Sequence, residues 1–254
     1  MKLDGTSAIV TGAASGLGAA TAKALAVKDV SVVGLDLAAG WEKAARPGAG
    51  VRAVAGDVTD ADDVAAAVKA ATESGAPLRM TVNCAGLGWA SRILSKKGVH
   101  DFDLFKTVIS VNLVGTFNVL RLAAEAMSHT EPVDEAGQRG LIVNTASVAA
   151  FDGQVGQIAY SASKGGVAGM CLPAARDLAQ FGIRVMTIAP GIVDTPMLAG
   201  VTEEFRNSLA ASVPFPARLG TADEYAQLAL MIAEHDYLNG EVIRMDGSLR
   251  MAPR

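Results

Sequence analysis

The chain has 254 residues, is 50% hydrophobic and 19% charged, and carries a formal net charge of -4. That length and apolar share suffice for one large core, and the acidic balance weighs against nucleic-acid binding. Two cysteines, Cys84 and Cys171, with three scattered histidines give neither a disulfide scaffold nor a metal site, and no apolar run reaches the length of a membrane span.

In chain order, the first element is a short apolar strand, Ser7 to Thr11. Gly12, Gly16 and Gly18 follow it, with Ser15 and Leu17 between them, and then comes an alanine-rich helical stretch, 19-AATAKALAVK-28. Strand, glycine turn and helix in that order make a cradle for a pyrophosphate, because the backbone approaches the anion closely and the helix N-terminus faces it. The spacing is G-x-x-x-G-x-G, so the loop alone also reads as a plain strand-to-helix connection. The next strand, Ser31 to Leu35, ends in Asp36, about twenty residues beyond the glycines, where a carboxylate accepts hydrogen bonds from both adenosine ribose hydroxyls. Asp36 would repel the extra phosphate of NADP, and no Arg or Lys stands inside the loop or directly after Asp36 to hold it. The expected cofactor is therefore NAD.

Further β-branched segments (VRAVAGDV, RMTVNCAG, LIVNTAS, IRVMTIAPG, EVIRMDG) alternate with alanine-rich helical ones. That alternation predicts an α/β fold, a doubly wound parallel sheet of Rossmann type, as one domain over residues 1–254. The segment 87-LGWASRILSKKGVHDFD-103 is long for a connection, and its Arg92, Lys96 and Lys97 either meet the phosphates of a substrate or merely solvate a loop. The apolar face of 104–127 exceeds what one sheet needs and suggests self-association. Strand 140–147 places Ser147 at the carboxyl edge of the sheet, and residues 157–180 read as a long helix. Ile192 to Phe215 is either a lid over the substrate or a surface loop.

The chemistry concentrates in 147-SVAAFDGQVGQIAYSASK-164. Spacing of four puts Tyr160 and Lys164 on one helix face. An ammonium about 4 Å from a phenolate is worth about 4 kcal/mol at an effective dielectric of 20, or about three pKa units, which would bring the Tyr160 phenol toward neutrality as a general acid or base. Ser147 would donate to the substrate oxygen.

Together, Thr-Gly-x-x-x-Gly-x-Gly at 11–18, Asn-x-Ala-Gly at 83–86, the set Ser147, Tyr160 and Lys164, and Pro190-Gly191 resemble the short-chain dehydrogenase/reductase family over essentially the whole chain. The resemblance implies that Asn112 completes a catalytic tetrad by helping a proton relay through Lys164. It also implies that Asp57 and Val58 contact the adenine, that Cys84, Ala85 and Gly86 flank the cofactor, and that Pro190, Val193 and Thr195 hold the nicotinamide and its carboxamide. The family usually carries a second Asn where this chain has Cys84.

The longer runs 144–170, 182–191, 213–220 and 239–247 resemble the branch of the family that oxidises 3-hydroxyacyl-CoA thioesters. That likeness implies NAD-dependent oxidation of a secondary alcohol on a short acyl-CoA, tolerance for steroids and branched acyl chains, a homotetramer, and Gln154 and Gln157 facing the substrate. The alternatives are a dehydrogenase of the same fold acting on a steroid or other secondary alcohol, and an NAD-binding scaffold in a protein assembly. The expected partner is a small molecule rather than nucleic acid or membrane. Met1 stands six residues ahead of the first strand, so the expected location is the cytoplasm, with the mitochondrial matrix of the familiar relatives as the alternative.

Overall fold

The computed structural model describes residues 1–44, 47–96, 98–198 and 200–253. The chain runs β1 (Ser7–Thr11), α1 (Gly16–Val27), β2 (Ser31–Asp36), α2 (Ala38–Lys43), β3 (Val51–Ala55), α3 (Ala61–Thr72), β4 (Leu78–Asn83), β5 (Leu94–Ser95), β6 (Gly98–Val99), α4 (Phe102–Ile109) and α5 (Thr116–Ser128). It continues through β7 (Gly140–Thr145), α6 (Ile158–Leu178), β8 (Ile183–Pro190), β9 (Val193–Asp194), α7 (Glu203–Ala211), β10 (Gly220–Thr221), α8 (Ala222–Glu234) and β11 (Val242–Met245).

Seven strands form one sheet in the order β11-β8-β7-β4-β1-β2-β3, every pair parallel. The chain walks outward from β1 to β3 and restarts on the other side of β1 at β4. The doubly wound sheet expected from the sequence is thus observed, and its winding reverses between β1 and β4. At such a reversal the connections leave in opposite directions and open a crevice beyond the carboxyl ends of the strands.

Successive strand residues point to opposite faces, so each central strand feeds two cores. Ala8, Val10, Met80, Val82, Leu141 and Val143 pack on one face with Leu25 of α1 and Tyr225, Ala229 and Ile232 of α8. Ile9, Val33, Leu35, Leu78 and Ile142 pack on the other with Val64 and Ala67 of α3, Val119 and Ala123 of α5, and Cys171 and Ala175 of α6. Burial on both faces explains why these strands read as apolar runs rather than alternating ones.

Between α4 and α5 the helix does not stop. Residues Ser110–Gly115 form a π turn, and one helix runs from Phe102 to Ser128. This corrects the expectation that no apolar segment reaches spanning length: the helix has 27 residues and a mean hydropathy of 1.4 over its most apolar stretch, half of which is buried. Asp103, Lys106, Arg121 and Glu125 interrupt the run in sequence, while α5 packs on β4 and β7 and the π turn before it packs on α6. The Asn118 amide donates to the carbonyls of Val58 and Asp60 at 2.9 and 3.1 Å, tying the helix to the loop after β3.

The long segment after β8 is also structured: β9 pairs with β10 as a stem, α7 lies between them, and Arg206 of α7 pairs with Asp194 of the stem. Across the sheet, Arg184 of β8 is 6% exposed and holds the end of α8. Its guanidinium donates to the carbonyls of Ile232, Ala233, His235 and Leu238 at 2.9–3.3 Å and to Gln138 Oε1 at 3.0 Å. Replacing it orphans several buried acceptors at once. Arg184→Leu should therefore lower stability by about 3 kcal/mol or more, seen in urea unfolding as a lower midpoint with an unchanged slope.

Candidate active site

A cleft of about 840 Å³ lies at the carboxyl ends of β1, β4, β7 and β8. Every residue expected to bind the cofactor lines it: Gly12, Ser15, Gly16, Leu17, Gly18, Asp36, Asp57, Val58, Cys84, Ala85, Gly86, Tyr160, Lys164, Pro190, Val193 and Thr195. Ser147 and Gln157 line it too, whereas Gln154 does not.

At the β1 end, the backbone shapes the site. Gly12 has φ +64, and a Cβ on it would fall 2.9 Å from the Ala85 nitrogen; a Cβ on Gly18 would fall 2.2 Å from the Gly12 carbonyl oxygen. Only glycine lets strand, loop and α1 close this tightly. The Thr11 hydroxyl accepts from the N–H groups of Cys84 and Ala85 at 3.1 and 3.0 Å, locking the turns after β1 and β4 together. Ser15 stands at the N-cap of α1 with no side-chain capping bond, and the first turn carries no acidic residue, so this helix N-terminus presents free N–H groups and positive potential to the cleft.

Asp36 closes β2, its Oδ2 accepting from the Ala14 N–H at 2.9 Å and its Oδ1 from the Leu37 N–H at 2.8 Å. Asp57 Oδ1 accepts from both the N–H and the hydroxyl of Thr59 at 2.8 Å. These features fit a dinucleotide: an anion seat at α1, a carboxylate for ribose hydroxyls, and a wall for a base at Asp57 and Val58. Lys164 is the one cation among the described lining residues.

At the β7 end, three side chains converge. β7 stops at Thr145, not at Ser147 as expected; Ser147 is instead the N-cap of a short 3-10 turn, Val148–Ala150, its Oγ accepting from the Ala149 N–H at 3.1 Å. The capping bond fixes the hydroxyl, which faces the Tyr160 phenol closely enough to lower its pKa. Gln157 stands at the N-cap position of α6, and two turns further in, the Lys164 Nζ lies 5.9 Å from the Tyr160 ring centroid and donates to the Thr145 carbonyl at 2.8 Å.

The electrostatics correct the sequence expectation. Burial raises the Tyr160 phenol above its ordinary value, with Ser147 partly offsetting it. Lys164 does not pull it toward neutrality, because burial lowers the ammonium itself to about 8 and its first hydrogen bond goes to a carbonyl. Cys84, where the family's usual Asn is absent, points its thiol at the Tyr225 hydroxyl and the Thr145 hydroxyl, at 3.7 and 3.8 Å, and burial pushes it up to about 11. It is a neutral wall rather than a nucleophile.

Asn112 lies in the π turn and is fully buried behind the wall. Its Oδ1 accepts from the Leu87 N–H at 2.8 Å, and its Nδ2 donates to the Leu87 carbonyl at 2.9 Å and to Ser163 Oγ at 3.0 Å. Ser163 in turn donates to the Tyr160 carbonyl at 2.7 Å. The carboxamide thus clamps the turn after β4 to the helix of Tyr160, and makes no hydrogen bond to Lys164 among the described residues. Gln154 departs further from expectation: its Nε2 donates to the Ala252 carbonyl at 2.8 Å. Arg92 and Lys96 are exposed beside the β5–β6 hairpin, and Lys97 lies outside the described residues.

Sequence reasoning missed the apolar part of the wall: Trp89, Val148, Ile192, Met197 and Met251. No period marks a face in these segments; the readable signals were the long connection that holds Trp89 and the lid reading of Ile192 to Phe215, the segment that supplies Ile192 and Met197. Among the described residues no group of His, Cys, Asp or Glu is placed to hold a metal ion.

Comparison with known proteins agrees with this geometry. The 3-hydroxyacyl-CoA dehydrogenase type-2 of Bos taurus is 53% identical over 99% of this chain and 98% of its own. That of Drosophila melanogaster is 54% identical over 96% and 97%. The crystal structure of 3-hydroxyacyl-CoA dehydrogenase type-2 from Mycobacterium avium superposes with a TM-score of 0.91 at 44% identity, covering 98% of both chains. A family model described as short chain dehydrogenase matches residues 6–205, the span from β1 into α7 that carries the glycine turn, Ser147, Tyr160 and Lys164, and the chain belongs to that family.

Proposed function

We propose that this enzyme is an NAD-dependent oxidoreductase interconverting 3-hydroxyacyl-CoA and 3-oxoacyl-CoA. The observation that carries the reading is the meeting of Ser147, Tyr160 and Lys164 in the same cleft as the glycine turn and Asp36. Relatives at 53% and 54% identity over almost the full chain, named for that reaction, support the substrate class. Exposed Arg92 and Lys96 near the mouth suit the phosphates of a CoA.

Gly12 to Gly18 would hold the pyrophosphate, Asp36 the ribose of the adenosine, Asp57 and Val58 the adenine, and Cys84 to Gly86 with Pro190, Val193 and Thr195 the nicotinamide end. The bound nicotinamide supplies the hydride acceptor or donor. In oxidation Tyr160 takes the proton of the substrate hydroxyl; in reduction it returns it. Ser147 donates a hydrogen bond to the substrate oxygen, and Lys164, the one cation among the described lining residues, would bind the ribose of the nicotinamide. Asn112 is a positioning residue that keeps the Leu87 turn against α6.

Because burial raises the Tyr160 pKa, the basic form appears only as pH climbs. Oxidative kcat/KM should accordingly rise with pH above neutrality, and reduction should fall along the same limb. Tyr160→Phe should reduce turnover by at least about a hundredfold while cofactor binding by fluorescence titration persists; a mutant with near-normal kcat and the same pH limb would exclude Tyr160 as the proton carrier.

Cofactor choice follows from Asp36. At an effective dielectric of 20 a unit charge pair about 4 Å apart is worth about 4 kcal/mol, so kcat/KM should favour NAD over NADP by at least about a hundredfold. Equal use of the two would reject this role, and Asp36→Arg should move the preference toward NADP.

We also propose a homotetramer. Val114 and Phe117 on the long helix, and Leu172 on α6, are each 46–49% exposed, an apolar surface suited to self-association. Light scattering at micromolar concentration should give four times the 25.9 kDa chain mass; a monomer mass would overturn it.

A further inference from the structure

We infer that Met251 determines which acyl chains the cleft accepts, and that Gln154 positions it by pinning the segment that carries it. The inference rests on the proposed action on acyl thioesters.

Residues Leu249–Pro253 form a strap that returns to the cleft after β11. Its root is fixed. Leu249 is 3% exposed, and its carbonyl accepts from Arg244 Nη2 at 2.9 Å and from Arg250 Nη1 at 2.7 Å. Arg244 is itself paired with Asp152 at 2.6 Å and Asp246 at 2.7 Å. Its far end is fixed too: the Val155 N–H donates to the Pro253 carbonyl at 3.0 Å, and Gln154 Nε2 donates to the Ala252 carbonyl at 2.8 Å. Between these anchors Met251 reaches the cleft.

The two loop residues that bond the strap directly, Gln154 and Val155, and Asp152, which holds Arg244 at its root, all belong to the segment between Ser147 and Tyr160. The strap is therefore registered to the reacting end of the cleft and not to the Asp36 end. The same loop meets the turn after β4, where the Ser91 N–H donates to the Gly156 carbonyl at 2.8 Å. On that turn a Cβ at Gly88 would touch Met197 Sδ at 3.0 Å. Trp89, Met197 and Met251 thus come from three separate segments to bound the space beyond Ser147 and Tyr160. An apolar wall offers no partner to a polar headgroup and suits the methylene end of an acyl chain. Methionine is the adaptable member of that wall, and its side-chain length sets the room available.

The test measures kcat/KM with NADH for 3-oxoacyl-CoA thioesters from four to ten carbons, alongside methyl ketones of matched tail length. Each methylene newly accommodated is worth about fourfold, so Met251→Ala should raise the ten-carbon to four-carbon ratio by at least about tenfold, and Met251→Trp should lower it by a similar factor. Gln154→Leu, which keeps bulk but loses the donor, should raise the ratio by less, and combining it with Met251→Ala should add little, because both act on the same strap. A ratio unmoved within about twofold in both Met251 variants overturns the inference. Wild-type enzyme that reduces ketones but no thioester defeats the acyl-CoA reading, while the ketone ratios still decide the strap; wild type inactive on both series defeats reading and inference together.

Discussion

The arrangement depends on a buried ammonium. Lys164 is 4% exposed, and its Nζ donates to the Thr145 carbonyl at the last residue of β7. An isolated charge at that depth is unfavourable, and its pKa accordingly falls to about 8. The charge is tolerated because the sheet ends there. The carboxyl end of a parallel strand presents carbonyl oxygens with no strand beyond to occupy them, so the switch between β1 and β4 supplies both the crevice and the acceptor. α6 must then start close to β7, and the short turn capped by Ser147 provides that start.

Two opposed shifts follow from one cause. Burial disfavours charge on both side chains, raising the Tyr160 phenol and lowering the Lys164 ammonium, so each moves toward neutrality of charge. Two pKa values that are ordinarily close together are thereby driven apart, so the resting proton stays on the Tyr160 phenol while Lys164 becomes the more readily deprotonated of the two. Thr145 is held in turn by a hydroxyl pair with Tyr225 at 2.6 Å, in the core between sheet and α8. The position of the ammonium is thereby coupled to the packing of an element remote in sequence.

The cofactor half of the cleft was legible because its determinants are local. Glycine spacing reports backbone approach, and Asp36 reports a strand end; both survive translation into space within one βαβ unit. Tyr160 and Lys164 were legible by helical period. What spacing could not provide was depth: the expected depression of the Tyr160 pKa assumed a full charge about 4 Å away, and burial reversed its direction. The π turn at Asn112 was also hidden, since one extra residue leaves no mark on a pattern of apolar residues read only as a single helix face from 104 to 127. Gln154 and Gln157 looked alike in sequence, yet the loop turns between them, and only Gln157 reaches the cleft.

The substrate half was the least legible part because side chains on irregular segments build it, not backbone. Trp89 follows β4, Met197 follows β9, and Met251 follows β11. Glycines in the cofactor half cannot change without displacing strands, as the 2.2 Å approach at Gly18 shows. Residues such as Met197 and Met251 can change size while the sheet, the glycine turn and the Tyr160 helix stay in place. One fold can therefore keep its hydride-transfer and proton-transfer geometry while its wall is rebuilt for a different substrate, and the division between these halves runs between Ser147 and the side chains facing it.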